Sequence, residues 1–195
     1  MSNLSELLPA GAGAKSADFV ASGTLASGQT VALKTDGTVA AISATGGGEA
    51  VGSPVVFESG TSQYFSSTFD SANNKVVIAY RNETNSDYGT AVVGTVSGTS
   101  ISFGTPVLFI SAVAKKSAVA YDSANAKIVI AFFNETNSDY GTAIVGTVSG
   151  TSISFGSSVV FESAATYNFS LTFDSSVSKV VIAYSDGGNS SYSTF

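Results

Sequence analysis

The chain has no cysteine, no histidine and no tryptophan, and only 11% of its 195 residues are charged. Without thiols there are no disulfides and no thiolate metal sites. Without imidazole the usual catalytic triads and zinc centres cannot be built either. No glycine-rich phosphate loop of the Walker or dinucleotide type occurs. Typical domains carry roughly 25% charged residues, so Ser, Thr, Asn and Gly must supply the solvated surface here. A surface of that kind suits extracellular and virion β-proteins. Lys115-Lys116 is the one basic pair and the net charge is −6, which argues against nucleic-acid binding through phosphate contacts. Met1–Asp18 has no basic segment followed by an apolar run, so it does not read as a secretory signal. No stretch approaches 18 uninterrupted apolar residues, so no membrane insertion is expected.

What the sequence does contain is a repeat. Val55-Val56-Phe57 recurs as Val107-Leu108-Phe109 and Val159-Val160-Phe161, and Asp70 recurs as Asp122 and Asp174. Lys75–Tyr80 recurs as Lys127–Phe132 and Lys179–Tyr184. The offset is 52 residues each time (107 − 55 and 159 − 107). Copies one (55–106) and two (107–158) share 33 of 52 positions, and between Asn82 and Gly104 only one of 23 differs. That similarity points to recent duplication. The third copy (159–195) stops partway. The expectation is either a fragment of a longer protein or several chains combining their repeats.

Each unit reads as four strands: Val55–Glu58, Tyr64–Phe69, Lys75–Tyr80 and Thr90–Val96, with Ser100–Phe103 extending the last hairpin or leading onward. The β-branched third run suits a strand covered on both faces. Asp70–Asn74 has turn chemistry. A four-stranded unit at this period predicts an all-β fold of antiparallel, blade-like repeats, β-propeller-like, over 51–195. Closed propellers use four to eight blades, more than this chain holds.

Residues 1–50 do not repeat. Ser2–Leu8 suits a helical turn, Pro9–Lys15 an extended linker, and Phe19–Val20, Thr30–Leu33 and Val39–Ile42 short strands. Asp36-Gly37 is a hairpin dipeptide, and Gly46-Gly47-Gly48 a hinge. The segment reads as a small β-rich docking module, or as strands that complete the first sheet.

No catalytic residues, metal or cofactor are expected. The Asp70, Asp122 and Asp174 turns could be weak calcium loops, but Asx-turns closing a hairpin are the favoured reading. The best candidate for contact with a partner is the loop 82–88, repeated at 134–140. Asn82, Asn85, Asp87 and Tyr88, with Asn134, Asn137, Asp139 and Tyr140, offer the amides, carboxylates and rings that bind sugars by hydrogen bonds and stacking. Repetition would add multivalency. The competing reading is that Asp87 and Tyr88 only lock the loop onto its sheet.

Two stretches carry a resemblance. Met1–Pro9, with Ala21–Leu33 and Asp36–Val39, is similar to the N-terminus of tail-fibre and other appendage proteins of aquatic tailed bacteriophages. Phe69–Tyr80 and Gly89–Gly98 resemble repeats in the same group. The resemblance implies a virion-surface structural protein, made in the host cytoplasm. It would join other virion proteins through its N-terminal module, assemble as a homo-oligomer (a trimer for a fibre) and face a host glycan or protein. Two alternatives are a capsid-decoration or extracellular filament-forming protein, and a lectin-like or carbohydrate-processing propeller.

Overall fold

The computed structural model describes residues 20–25, 31–41 and 51–195. It separates into two units, Met1–Ala50 and Val51–Phe195. The expected helical turn at Ser2–Leu8, the linker Pro9–Lys15 and the hinge at Gly46–Gly48 lie outside the described residues. In the first unit β1 (Val31–Leu33) pairs antiparallel with β2 (Val39–Ala41). The Asp36-Gly37 turn joins them. Asp36 Oδ1 accepts from the Thr38 amide at 2.9 Å and hydroxyl at 2.7 Å, and Gly37 sits at φ 81°. Ala21 adds an isolated parallel bridge to Val39.

The second unit is all-β, and its described residues include no α-helix. Its strands are β3 (Ser62–Asp70), β4 (Lys75–Asn82), β5 (Tyr88–Ser97), β6 (Ser100–Phe103), β7 (Val107–Asp122), β8 (Lys127–Asn134), β9 (Tyr140–Ser149), β10 (Ser152–Phe155), β11 (Val159–Asp174), β12 (Lys179–Asp186) and β13 (Tyr192–Thr194). All their pairings are antiparallel, and one ladder runs from β3 to β13. Both ends of the ladder are open; among the described residues no closed barrel or propeller forms.

The ladder is continuous because β7 and β11 each serve two sheets. The first half of β7 pairs with β5, and its second half pairs with β8. β11 pairs in the same way with β9 and then β12. Two residues into each second half the register slips, at Lys115/Ala118 and Tyr167/Ser170. Lys116 and Asn168 there adopt left-handed φ of 50° and 54°, as Tyr64 does at 58° in β3. A bulge of this kind turns a strand sharply and re-aims it.

One boundary expectation is corrected. Val55–Glu58 forms no strand, while its counterparts Val107–Ile110 and Val159–Glu162 pair backwards with the preceding repeat. The run is an edge for the sheet before it. Among the described residues no copy of the repeat precedes Val55, so the run lacks the β5-like strand that its counterparts pair with. The outer edge of β5 is therefore shared between β6 and the first half of β7.

The core lies between neighbouring repeats. Val77 and Ala79 on one face of β4 cluster with Ile128, Ile130 and Phe132 of β8, all at 0% exposure. Burying side chains of this size contributes about 1.5–3 kcal/mol each for the larger ones. The alternate residues of these strands face the other side, which is why the run is apolar throughout. Where β3 and β7 lie side by side, Ser117 Oγ donates to the Tyr64 carbonyl at 3.0 Å and the Val119 amide donates to Ser66 Oγ at 3.1 Å.

Candidate functional site: the loop after the second strand of each repeat

The loop between β4 and β5 begins with a single 3-10 turn, Glu83–Asn85. Asn82 caps it: its Oδ1 accepts from the Asn85 amide at 3.1 Å. Its Nδ2 donates to Glu58 Oε2 at 2.7 Å, and the residue is only 9% exposed. Asn82 is thus committed inside the repeat. Asn134, its counterpart, is equally buried, but its Oδ1 has no hydrogen-bond partner. The cap bond that Asn85 gives Asn82 is not made in the turn Glu135–Asn137, and Ile110, where copy one has Glu58, offers the Asn134 Nδ2 no acceptor.

Asn85 and Asn137 are exposed on the turn. Ser86 and Asp87, like Ser138 and Asp139, take left-handed φ between 53° and 64°, a region tolerated best by Asn and Asp. Carbonyl groups of the loop are used by the next repeat. Asp87 accepts from the Ala114 amide at 3.3 Å, and Asp139 from the Thr166 amide at 3.1 Å. Tyr88 and Tyr140 open β5 and β9 and are half-buried, paired across the ladder with Asn82 and Asn134. The backbone of each loop is locked in place; the groups left facing solvent are Asn85, Asn137 and, in part, the Asp and Tyr side chains.

Identical loops sit in different surroundings. In copy one the Arg81 guanidinium pairs with Glu83 and lies 3.2 Å from Asp87, 5.1 Å from the centre of the Tyr64 ring. In copy two Phe133 replaces Arg81 and Lys116 replaces Tyr64. A cleft of about 240 Å³ opens there, lined by Lys115, Lys116, Phe133, Glu135, Asp139 and Tyr167. Lys115 pairs with Glu135 at 2.8 Å. Lys116 Nζ stands 5.9 Å from the Tyr167 ring centre and 3.5 Å from Asn168 Oδ1. The Phe133 and Tyr167 ring centres are 6.0 Å apart. Ring faces bordered by charged hydrogen-bonding groups can hold a sugar ring or a planar polar group.

Reading the sequence singled out Asp139 but missed Phe133, Tyr167 and the two lysines. The signal was present: Arg81 against Phe133 lies one residue before the 23-residue near-identical stretch.

The Asp turns are Asx-turns. Asp70 Oδ1 accepts from the Ala72 and Asn73 amides at 3.0 and 3.1 Å, and Asp122 repeats the pattern with Ala124 and Asn125. Asp174 takes the Ser176 amide and hydroxyl at 2.8 and 2.5 Å. The Asn125 side chain holds the Asp122 carboxyl below its ordinary pKa, and the Ser176 hydroxyl does so for Asp174. Among the described residues no group of three metal-ligating side chains gathers.

Compared with protein-family models, curated proteins and solved structures, the chain matches none.

Proposed function

We propose that this chain is a non-catalytic structural protein of a bacteriophage virion, a tail fibre or similar appendage, displaying its repeats for host attachment. On this reading the three sheets are propeller-like blades. The N-terminal module joins other virion proteins, and the protein sits on the virion surface as a homo-oligomer. The resemblance of Met1–Pro9 and of the Phe69–Tyr80 repeat supports the virion assignment. The supporting observation from the site is the repeated loop: each copy fixes its backbone to the next repeat and leaves Asn85 or Asn137 in solvent. Such loops, carried on a rigid scaffold, suit recognition.

The cleft beside Phe133 and Tyr167 favours a glycan as the target, because ring faces and charged side chains meet there. That keeps a lectin-like propeller as the second reading. Purified particles labelled with an antibody against the repeats test the first. Label at the tail, with the antibody blocking adsorption to host cells, supports it. Label over the head, with adsorption untouched, supports a decoration protein instead. A glycan array probed with the same chain tests the second.

A further inference from the structure

Three repeats in one chain make two junctions, and both press the same face of one repeat onto the opposite face of the next. At the first, Val77 and Ala79 are at 0% exposure, in one cluster with Val119, Ile128 and Ile130 of the next repeat. At the second, Ala131, the counterpart of Ala79, is likewise at 0%. In repeat three the counterparts are Val181, 37% exposed, and Ala183, also exposed. Asp70 is 1% exposed at the first junction, while Asp174 stands in solvent.

The opposite face is open at the other end of the array. Repeat two buries Ser117 and Val119 against repeat one, at 9% and 7%. Repeat one leaves their counterparts Phe65 and Ser67 exposed, Phe65 at 57%, with Phe69 at 52%. A cavity of about 210 Å³ lies among Phe57, Phe65, Ser66, Ser67 and Ile78 on that face.

We propose that these two open faces are the halves of a further junction, formed between two copies of this chain docked head to tail. The molecule itself specifies the occupant, since each face already packs against a repeat of this sequence elsewhere. Composition agrees. Val181, Ala183 and Thr172 match Val77, Ala79 and Thr68, while Phe69, Val76 and Ile78 match Tyr121, Ile128 and Ile130. Charge agrees too. Lys179 lies close enough across the second junction to favour ionised Asp122, and the corresponding pair at the new junction is Asp174 with the second copy's Lys75. The contact is heterologous, so it either closes a ring or propagates. The inference rests on repeat packing and stands apart from the attachment reading.

The test uses the full 195-residue chain, measured by sedimentation and light scattering across a concentration series. The expected result is self-association of the 19.6 kDa chain into a multiple of its own mass. Val181→Glu and Phe69→Glu each put a charge into the junction and should weaken association at least about tenfold, with the strand circular-dichroism signal unchanged. Mixing the two variants joins one intact face of each and should restore a one-to-one pair. A monomer at every concentration, or an oligomer that neither variant weakens, overturns the proposal.

Discussion

The Tyr80 hydroxyl donates to Glu58 Oε2 at 3.1 Å, and Tyr184 makes the same bond to Glu162 at the same distance. Copy two has Phe132 and Ile110 at these positions. Both partners have been exchanged together, polar pair for apolar pair, at a site where Tyr80 and Phe132 are fully buried. The physical reason is that a lone partner is worse than either pair. Glu58→Ile alone, which orphans the Tyr80 hydroxyl and the buried Asn82 amide group, should cost about 3 kcal/mol and Tyr80→Phe alone about 1 kcal/mol. The double variant should cost less than their sum. Urea denaturation of the three variants measures this. Additive costs would show that the two residues are not coupled.

The same bond shapes the alkaline limb of stability. Burial first, then the Glu58 charge and hydrogen bond, push the Tyr80 hydroxyl above its ordinary value of 10.0; burial and Glu162 push Tyr184 the same way. A raised folded-state value means the native state holds its proton longer than the unfolded chain. That contribution is complete below about pH 10 and is lost as the pH climbs through the folded values. The urea midpoint should therefore fall above pH 10, and less steeply in Tyr80→Phe. On the acid side Asp122 and Asp174, both lowered from 3.8, contribute above that value and lose their contribution as the pH falls below it. A midpoint that rises above pH 10 would contradict the assignment.

The β7–β8 turn tests the backbone. Ala126 adopts φ 52°, where copy one has Asn74 at 53°. Left-handed backbone costs most residues roughly 1–2 kcal/mol, and Asn is relieved of part of it. Ala126→Asn should stabilise the protein by roughly 0.5–1 kcal/mol, seen as a higher thermal midpoint. An unchanged or lower midpoint would contradict the turn geometry.

Gly89 tests the packing of the junction. A Cβ there would fall 2.3 Å from the Phe109 ring, and Phe109 is only 4% exposed. Gly89→Ala should destabilise by about 1–3 kcal/mol through overpacking. Adding Phe109→Leu should recover part of the loss, and no recovery would place the clash elsewhere.

The cleft in copy two can be closed by its own sister sequence. Phe133→Arg rebuilds the guanidinium arrangement of Arg81 beside Glu135 and Asp139. On the glycan reading it should abolish binding while leaving the fold intact, and Tyr167→Ala should weaken binding about tenfold, the worth of one ring contact. Titration calorimetry with a glycan bound by the parent chain reads both. Equal affinity in all three proteins would remove the cleft from the account.

Much of this was legible in the sequence. Lys75–Tyr80 alternates nothing and is β-branched, and it became a strand; its counterpart Lys127–Phe132, with a repeat on either side, is the one covered on both faces. Asp70, Asp122 and Asp174 advertised turns and made them. The fate of Val107–Ile110 was hidden, because a short apolar run does not say which neighbour it pairs with, and here it pairs backwards. The bend at Lys116 was hidden too: lysine carries no preference for left-handed backbone, and the register break comes from tertiary packing. The candidate loop showed its residues but not their commitments. Asn82 is spent on Glu58 and on its own turn, and the open cleft depends on Phe133, outside the loop.

The repeat junction is the premise beneath the rest, and nuclear Overhauser contacts in the methyl-labelled chain test it most directly. The account predicts antiparallel contacts of Thr90 with Leu108 and Ala91 with Val107, the Val119 amide near the Ser66 side chain, and Val77 methyls among those of Ile128 and Ile130. Parallel backbone pairing of Lys75–Tyr80 with Lys127–Phe132, as in rungs of one continuous coil, would contradict it.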